Sequence, residues 1–232
     1  MMRSNEKEMM DLPGNPPKLL EDDLKNLGFL NRYLGGYRCV ERGIEEIVGQ
    51  AKLTHLSLLD VGTGSADIAT GIVRWGKSQG ITMEIAALDL NPVTAALAAR
   101  RAKDLPEICV VRGDAGNPPF PPATFDFVLA SQFLHHFSEE RIAVLLRSWA
   151  QLARRAIIVS DLVRHPLAYY GARVLTRLFT KNIMTRTDAP LSVERAFTLA
   201  EWRELFHRAA VGNFEVVPVF PYRMLARLDI SS

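Results

Sequence analysis

Leu58-Leu59-Asp60-Val61-Gly62-Thr63-Gly64-Ser65-Ala66-Asp67-Ile68 decides how the chain is read. An apolar run ends on an acid, turns through two glycines and passes into apolar residues at Ile68, Ile72 and Trp75, which is helical spacing. The reading is a buried strand, a tight turn and a helix N-terminus. Glycine lets the backbone turn and approach a ligand where a Cβ would collide. Ligands on open α/β sheets bind outside such strand ends.

Two cofactor classes use this arrangement, and the residues separate them. A dinucleotide fingerprint places a third glycine at position 67 and a pyrophosphate at the helix N-terminus. Here that position is Asp67, a carboxylate where phosphate charge would sit. The methyl-donor pattern asks instead for an acid two residues before Gly-x-Gly-x-Gly. Asp60, Gly62 and Gly64 supply it, with Ala66 in place of the third glycine. On these residues the chain resembles a class I S-adenosylmethionine-dependent methyltransferase, over roughly residues 30 to 228, and the small-molecule branch of quinone and polyketide biosynthesis in particular. The resemblance implies a Rossmann-like α/β fold: a seven-stranded, mostly parallel sheet with one antiparallel strand and helices on both faces. It implies S-adenosyl-L-methionine as cofactor, whose ammonium and sulfonium suit acidic residues beside the turn.

Downstream, acids recur at strand ends. A second strand, Met83 to Leu90, carries Asp89 next to Leu90, and Asn91-Pro92 is an N-cap with proline at the first helical position. A carboxylate at Asp89 can accept both hydroxyls of a ribose. A third strand, Ile108 to Val111, leads to Asp114 and Ala115. The resemblance assigns Asp114 to the adenine amino group and the next backbone N–H to the ring. Residues 117–124 hold four prolines and read as a stiff link, not a helix or central strand. The fourth strand, Phe125 to Ala130, delivers Ser131 and Gln132 to the mouth of the expected site, Ser131 on the donor side and Gln132 on the acceptor side.

His135 and His136 follow, ahead of a helix capped by Ser138 with Ile142, Leu145, Leu146, Trp149 and Leu152 on one face. By resemblance the pair borders the acceptor pocket, where a histidine near neutral pKa could take a proton from a hydroxyl. Adjacent side chains point in different directions and no third ligand is suitably spaced, so no metal is expected. A fifth strand, Ala156 to Ser160, ends at Asp161, a further pocket candidate. Between residues 162 and 197 lies an insertion read as a helical lid, with apolar Leu167, Val174, Leu175, Leu178 and Phe179 beside Arg173, Arg177 and Lys181. A basic amphipathic helix of this kind also allows transient contact with a membrane surface. Thr198 to Glu201 is a capping box, and Phe214 to Val219 and Tyr222 to Leu228 close the sheet.

The expected organisation is a flexible tail over residues 1–18, a helical cap over 19–50, and the methyltransferase domain over 51–232. Tyr33 and Tyr37 on the cap are candidates for the pocket wall, and Arg38 for the donor's carboxylate. A net charge of +2 over 232 residues argues against a polyanion-binding surface, so no nucleic-acid partner is expected. Two distant cysteines fit a reducing cytoplasm, and neither a signal peptide nor an apolar run long enough to span a bilayer is present. The expected function is methylation of a small hydrophobic or phenolic acceptor, O-methylation foremost, with an RNA methyltransferase or a non-catalytic donor-binding protein as alternatives.

Overall fold

The structure is a computed structural model that describes residues 1–51 and 53–230; residues 52, 231 and 232 of the expected domain lie outside it. Its centre is β1, His55–Val61, with six of its seven residues buried. Because side chains alternate along a strand, Leu59 and Val61 enter one core and Leu56 and Leu58 the other. A strand apolar on both sides can only lie inside a sheet covered on both faces.

The sheet runs in the order β3 (Ile108–Arg112), β2 (Thr82–Asp89), β1, β4 (Phe125–Ser131), β5 (Ala153–Leu162), β7 (Arg223–Asp229), β6 (Phe214–Val219). Pairings among β1 to β5 are parallel, and β7 is antiparallel to both its neighbours, as the sequence led us to expect. On one face α2 (Gly36–Ala51), α3 (Asp67–Gln79) and α4 (Pro92–Ala102) pack against the core around Leu58 and Ile72. On the other, α5 (Glu139–Leu152) and α8 (Leu199–Ala209) bring Trp149, Trp202 and Phe206 to the core around Leu59. Strand order reverses between β1 and β4, so the crevice for a ligand opens at their carboxyl ends. Since β7 is antiparallel, its first residue, Arg223, lies at that same edge, paired with Leu162.

Local chemistry sets the boundaries. Asn91 accepts from the backbone N–H groups of Val93 and Thr94 and starts α4 beside Asp89, and Thr198 with Glu201 closes a reciprocal capping box on α8. The fifth strand starts three residues earlier than its apolar run suggests, because α5 ends directly into it at Ala153. The insertion is two helices, α6 (Pro166–Phe179) and α7 (Ile183–Arg195), divided where Asn182 caps the second.

The largest departure is at the N-terminus. Residues 1–16 are not a free tail. Arg3 lies 3.9 Å over the Phe197 ring and donates to the carbonyls of His135 and Phe137. The Asp188 carboxylate of α7 accepts from the N–H groups of Met9 and Met10, 2.9 Å each, and Glu8 is 2% exposed. Polar composition reads as solvated only until its partners are known; here they lie more than 130 residues away. From this anchor the chain enters α1 (Pro17–Tyr33), whose Asn26 and Asp23 meet Thr185 of α7.

Candidate active site

A cavity of about 1020 Å³ opens at the carboxyl edge of the parallel strands and is closed by α1, α6, α7 and residues 7–11. The glycine turn forms its floor. Gly62 and Gly64 have φ of +66° and +58°, and Ala66 follows at +56°. The third position of the motif therefore keeps its left-handed backbone although alanine occupies it, which costs about 1–2 kcal/mol. At Gly62 no side chain fits: a Cβ would fall within the ring of Phe133, which rests on the turn.

Carboxylates line the wall above this floor. Asp60, 2% exposed, accepts from the Thr63 hydroxyl at 2.6 Å. Burial pushes its pKa up to about 7, and the neighbouring Asp67 and Asp89 add to the rise. Asp89 accepts from the N–H groups of Gly64 (3.0 Å) and Asn91 (2.9 Å), so one side chain ties the turn to the α4 cap; burial raises it to about 6. Asp114 holds the N–H of Gly116 at 2.7 Å, and Trp149 donates to the carbonyl of Ala115, fixing the third strand tip. Leu90, Ser131 and Gln132 also line the cavity. The Ser131 hydroxyl is buried without a hydrogen-bond partner.

Four sequence candidates fall elsewhere, three on the cap and Asp161 behind the histidines. Tyr33 is 64% exposed against Phe29, Arg38 is exposed, and Tyr37 packs on Gly71 with its hydroxyl 3.5 Å from Asp67; none lines the cavity. Buried Cys39 and Val40 fix which side of α2 faces the sheet, and that rotation carries Arg38 outward. Lys7, Arg195 and Arg223 are the cations on the cavity lining, and Arg223 is the one at the carboxyl edge of the sheet. It is 3% exposed, donates to the Leu34 carbonyl and to Asn31, and leaves Nη1 without a partner. Its strand also holds Arg227 and Asp229, so no sequence signal set Arg223 apart; its burial does, since a buried guanidinium needs partners. Asn31 in turn joins Gln132 and Asp67.

The histidines are held by carboxylates. His135, 2% exposed, has Nδ1 at 2.7 Å from Asp161, which lies behind it and does not line the cavity. Its Nε2 is 3.5 Å from Glu8 and has no hydrogen-bond partner. Burial favours the neutral ring, but the Asp161 and Glu8 carboxylates outweigh it and push the pKa up to about 10. These carboxylates favour the protonated ring, and the ring accepts a proton from an acceptor only after giving that one up. His136 has Nδ1 at 2.8 Å from Asp11 and Nε2 at 3.9 Å from Glu8. Contrary to expectation the two rings do not diverge: the short 3-10 turn Leu134–His136 stacks them at 4.4 Å. Arg195 holds this turn by donating to the carbonyls of both histidines, and Glu6 supplies a third acceptor. Glu8, Asp11 and Arg195 carried no sequence signal, because no motif or periodicity sets them apart.

A glycine turn at a strand-order reversal, three acids on successive strand tips and a buried orphan hydroxyl suit a cationic nucleoside without phosphates. The Asp67 carboxylate at the start of α3 opposes a pyrophosphate there. This is the class I S-adenosylmethionine-dependent methyltransferase fold, and S-adenosylmethionine is the cofactor of that class. Residues 58–156 match the family model described as "Methyltransferase domain". Among solved structures, human N-acetylserotonin methyltransferase in complex with SAM is similar at 16% identity and TM-score 0.68, over 94% of this chain and 57% of that one. This chain thus spans little more than half of the human enzyme's length. A SAM-dependent methyltransferase from Aquifex aeolicus is similar at 17% identity and TM-score 0.65, over 94% of this chain and all of that one. Magnesium protoporphyrin IX methyltransferase from Synechocystis, with bound SAH, follows at 16% identity and TM-score 0.58, over 85% and 84%. No curated protein matches the sequence. Among the described residues, no helix is long and apolar enough to cross a membrane.

Proposed function

We propose that the protein transfers a methyl group from S-adenosylmethionine to a hydroxyl of a small hydrophobic or phenolic acceptor in the cytoplasm. The observation that carries this reading is one cavity with two unlike walls. Asp60, Asp89 and Asp114 line the strand-tip side, and Leu30, Leu167, Leu175 and Val193 from the helices line the other. In this reading Asp89 takes the ribose, Asp114 and Ala115 the adenine, Ser131 and Asp60 the ammonium end, and the free Nη1 of Arg223 the carboxylate expected of Arg38. The acceptor lies under α6, whose Leu167, Gly171 and Leu175 line the cavity while Tyr170 and Leu178 do not.

Methyl transfer from a sulfonium is an in-line displacement: an acceptor O–CH₃ bond forms as the S–CH₃ bond breaks, the sulfur leaves as a neutral thioether, and the acceptor hydroxyl gives its proton to water. Donor and acceptor must be held collinear and kept from water, an effect that can supply about 7–11 kcal/mol. The chain's contribution is the rigid floor at Gly62, the carboxylate wall and the helical roof. Calorimetry with S-adenosylmethionine and with NAD(P) in separate cells tests the donor; binding only the dinucleotide overturns the reading. Labelled-donor assays on phenols and on RNA test the acceptor. Turnover on RNA removes the small-molecule reading, and donor binding without turnover on any acceptor leaves a binding protein.

A further inference from the structure

Three ligand atoms converge at the edge of the cavity without meeting one another. The Nε2 of His135 lies 3.5 Å from Oε1 of Glu8 and the Nε2 of His136 lies 3.9 Å from its Oε2, and one ligand atom from each of the three residues falls within 4.8 Å of the others. These spacings are too long for hydrogen bonds. Ligands of a four-coordinate first-row ion, each about 2.0–2.2 Å from it, stand roughly 3.3–3.5 Å apart. The His135–Glu8 pair is already at that distance, and the others reach it by moving less than their own width.

What surrounds the three atoms fits the same occupant. Each histidine gives its Nδ1 to a carboxylate, Asp161 behind His135 at 2.7 Å and Asp11 behind His136 at 2.8 Å, which turns both Nε2 atoms toward Glu8. That is the arrangement by which outer carboxylates orient metal-bound imidazoles. Glu8 is itself oriented, accepting from the Ser192 hydroxyl at 2.9 Å. Independently, the His135 Nε2 is buried, faces this space and has no partner. Arg195 approaches Glu8 at 3.8 Å but is held by three backbone carbonyls, so it does not depend on the glutamate. We propose that Glu8, His135 and His136 form a binding site for one divalent transition-metal ion, a two-histidine, one-carboxylate set with zinc-type chemistry.

Two imidazoles and one carboxylate select a borderline ion such as zinc or cobalt over magnesium or calcium, which prefer all-oxygen shells. Three protein ligands leave a fourth position, and all three residues line the cavity. An acceptor hydroxyl bound there would release its proton to water and present an oxyanion to the donor's methyl group. That last role rests on the methyl-transfer reading; the metal site itself does not.

The test uses untagged full-length protein stripped with a chelator. Titration with zinc is expected to give one site per chain with micromolar or tighter affinity, cobalt to give visible ligand-field bands, and magnesium to give no heat. Glu8→Gln should weaken zinc binding at least tenfold, and Asp11→Asn, which removes only an orienting carboxylate, by about 10–100-fold. Circular dichroism checks that each variant is folded; if Glu8→Gln is not, His136→Ala carries the same test. No heat with zinc and no cobalt spectrum in the wild type would mean that protonated histidines, not a metal, balance the carboxylates, and the proposal falls. Zinc binding that both Glu8→Gln and His136→Ala leave unaltered places the ion elsewhere and overturns it equally. Calorimetry with S-adenosylmethionine on the same stripped sample reports on the donor site separately, so the two readings fail distinguishably.

Discussion

Asp60→Asn is the substitution with the most specific consequence. The side chain keeps its shape, and the Thr63 hydroxyl still finds a carbonyl oxygen to donate to. What changes is the charge. Burial raises the carboxyl from 3.8 to about 7, so between those values the folded protein holds a proton that the unfolded chain has released. Stability from this group is therefore fully present below 3.8 and lost as pH rises through 7. One pKa unit is worth about 1.4 kcal/mol, so from about pH 6 to about pH 8.5 the unliganded wild type should lose about 1.4 kcal/mol relative to the variant. Urea unfolding of both proteins across that range gives the difference directly. Asp23, also raised to about 7 by burial beside Thr185, contributes the same slope to both and cancels. Saturating S-adenosylmethionine should flatten the wild-type curve, because its ammonium favours the ionised carboxylate. Parallel curves without donor would show that Asp60 is already charged in the empty fold and refute the burial argument.

Gly62→Ala should lower the melting temperature and abolish donor binding in calorimetry, since it adds about 1–2 kcal/mol of left-handed strain and displaces the Phe133 ring. Trp149→Phe removes the bond from Nε1 to the Ala115 carbonyl and leaves that carbonyl buried, which should cost about 1–3 kcal/mol in urea unfolding. Arg223→Met should weaken S-adenosylmethionine at least about tenfold, the loss of one charge-assisted hydrogen bond, while exposed Arg38→Ala leaves the affinity unchanged. The reverse pattern would return the donor carboxylate to Arg38.

The fold was legible wherever a local rule had one outcome. The apolar run into Asp60, the glycine turn and the Asn91-Pro92 cap each specify their own geometry, and acids at strand ends follow from counting. Even the missing third glycine misled nothing, because the turn imposes its backbone on Ala66. The histidine pair was legible as residues but not as chemistry. Its protonation depends on Glu8 and Asp161, and the stacking of its rings on a 3-10 turn that no periodicity announces. Tyr33, Tyr37 and Arg38 were placed by resemblance, which fixes the region of a helix but not its rotation. Glu8, Arg195 and Arg223 were invisible because only tertiary contact gives them a role.

One wall of the cavity joins two segments that lie far apart in the sequence. Arg3 bonds to the carbonyl of Arg195, 192 positions on, and Glu8 accepts from Ser192, 184 positions on. Neither segment forms that wall without the other, and closing so long a loop carries an entropic penalty. The cavity is thus complete only once residues 3–10 have met residues 188–195 across the body of the domain.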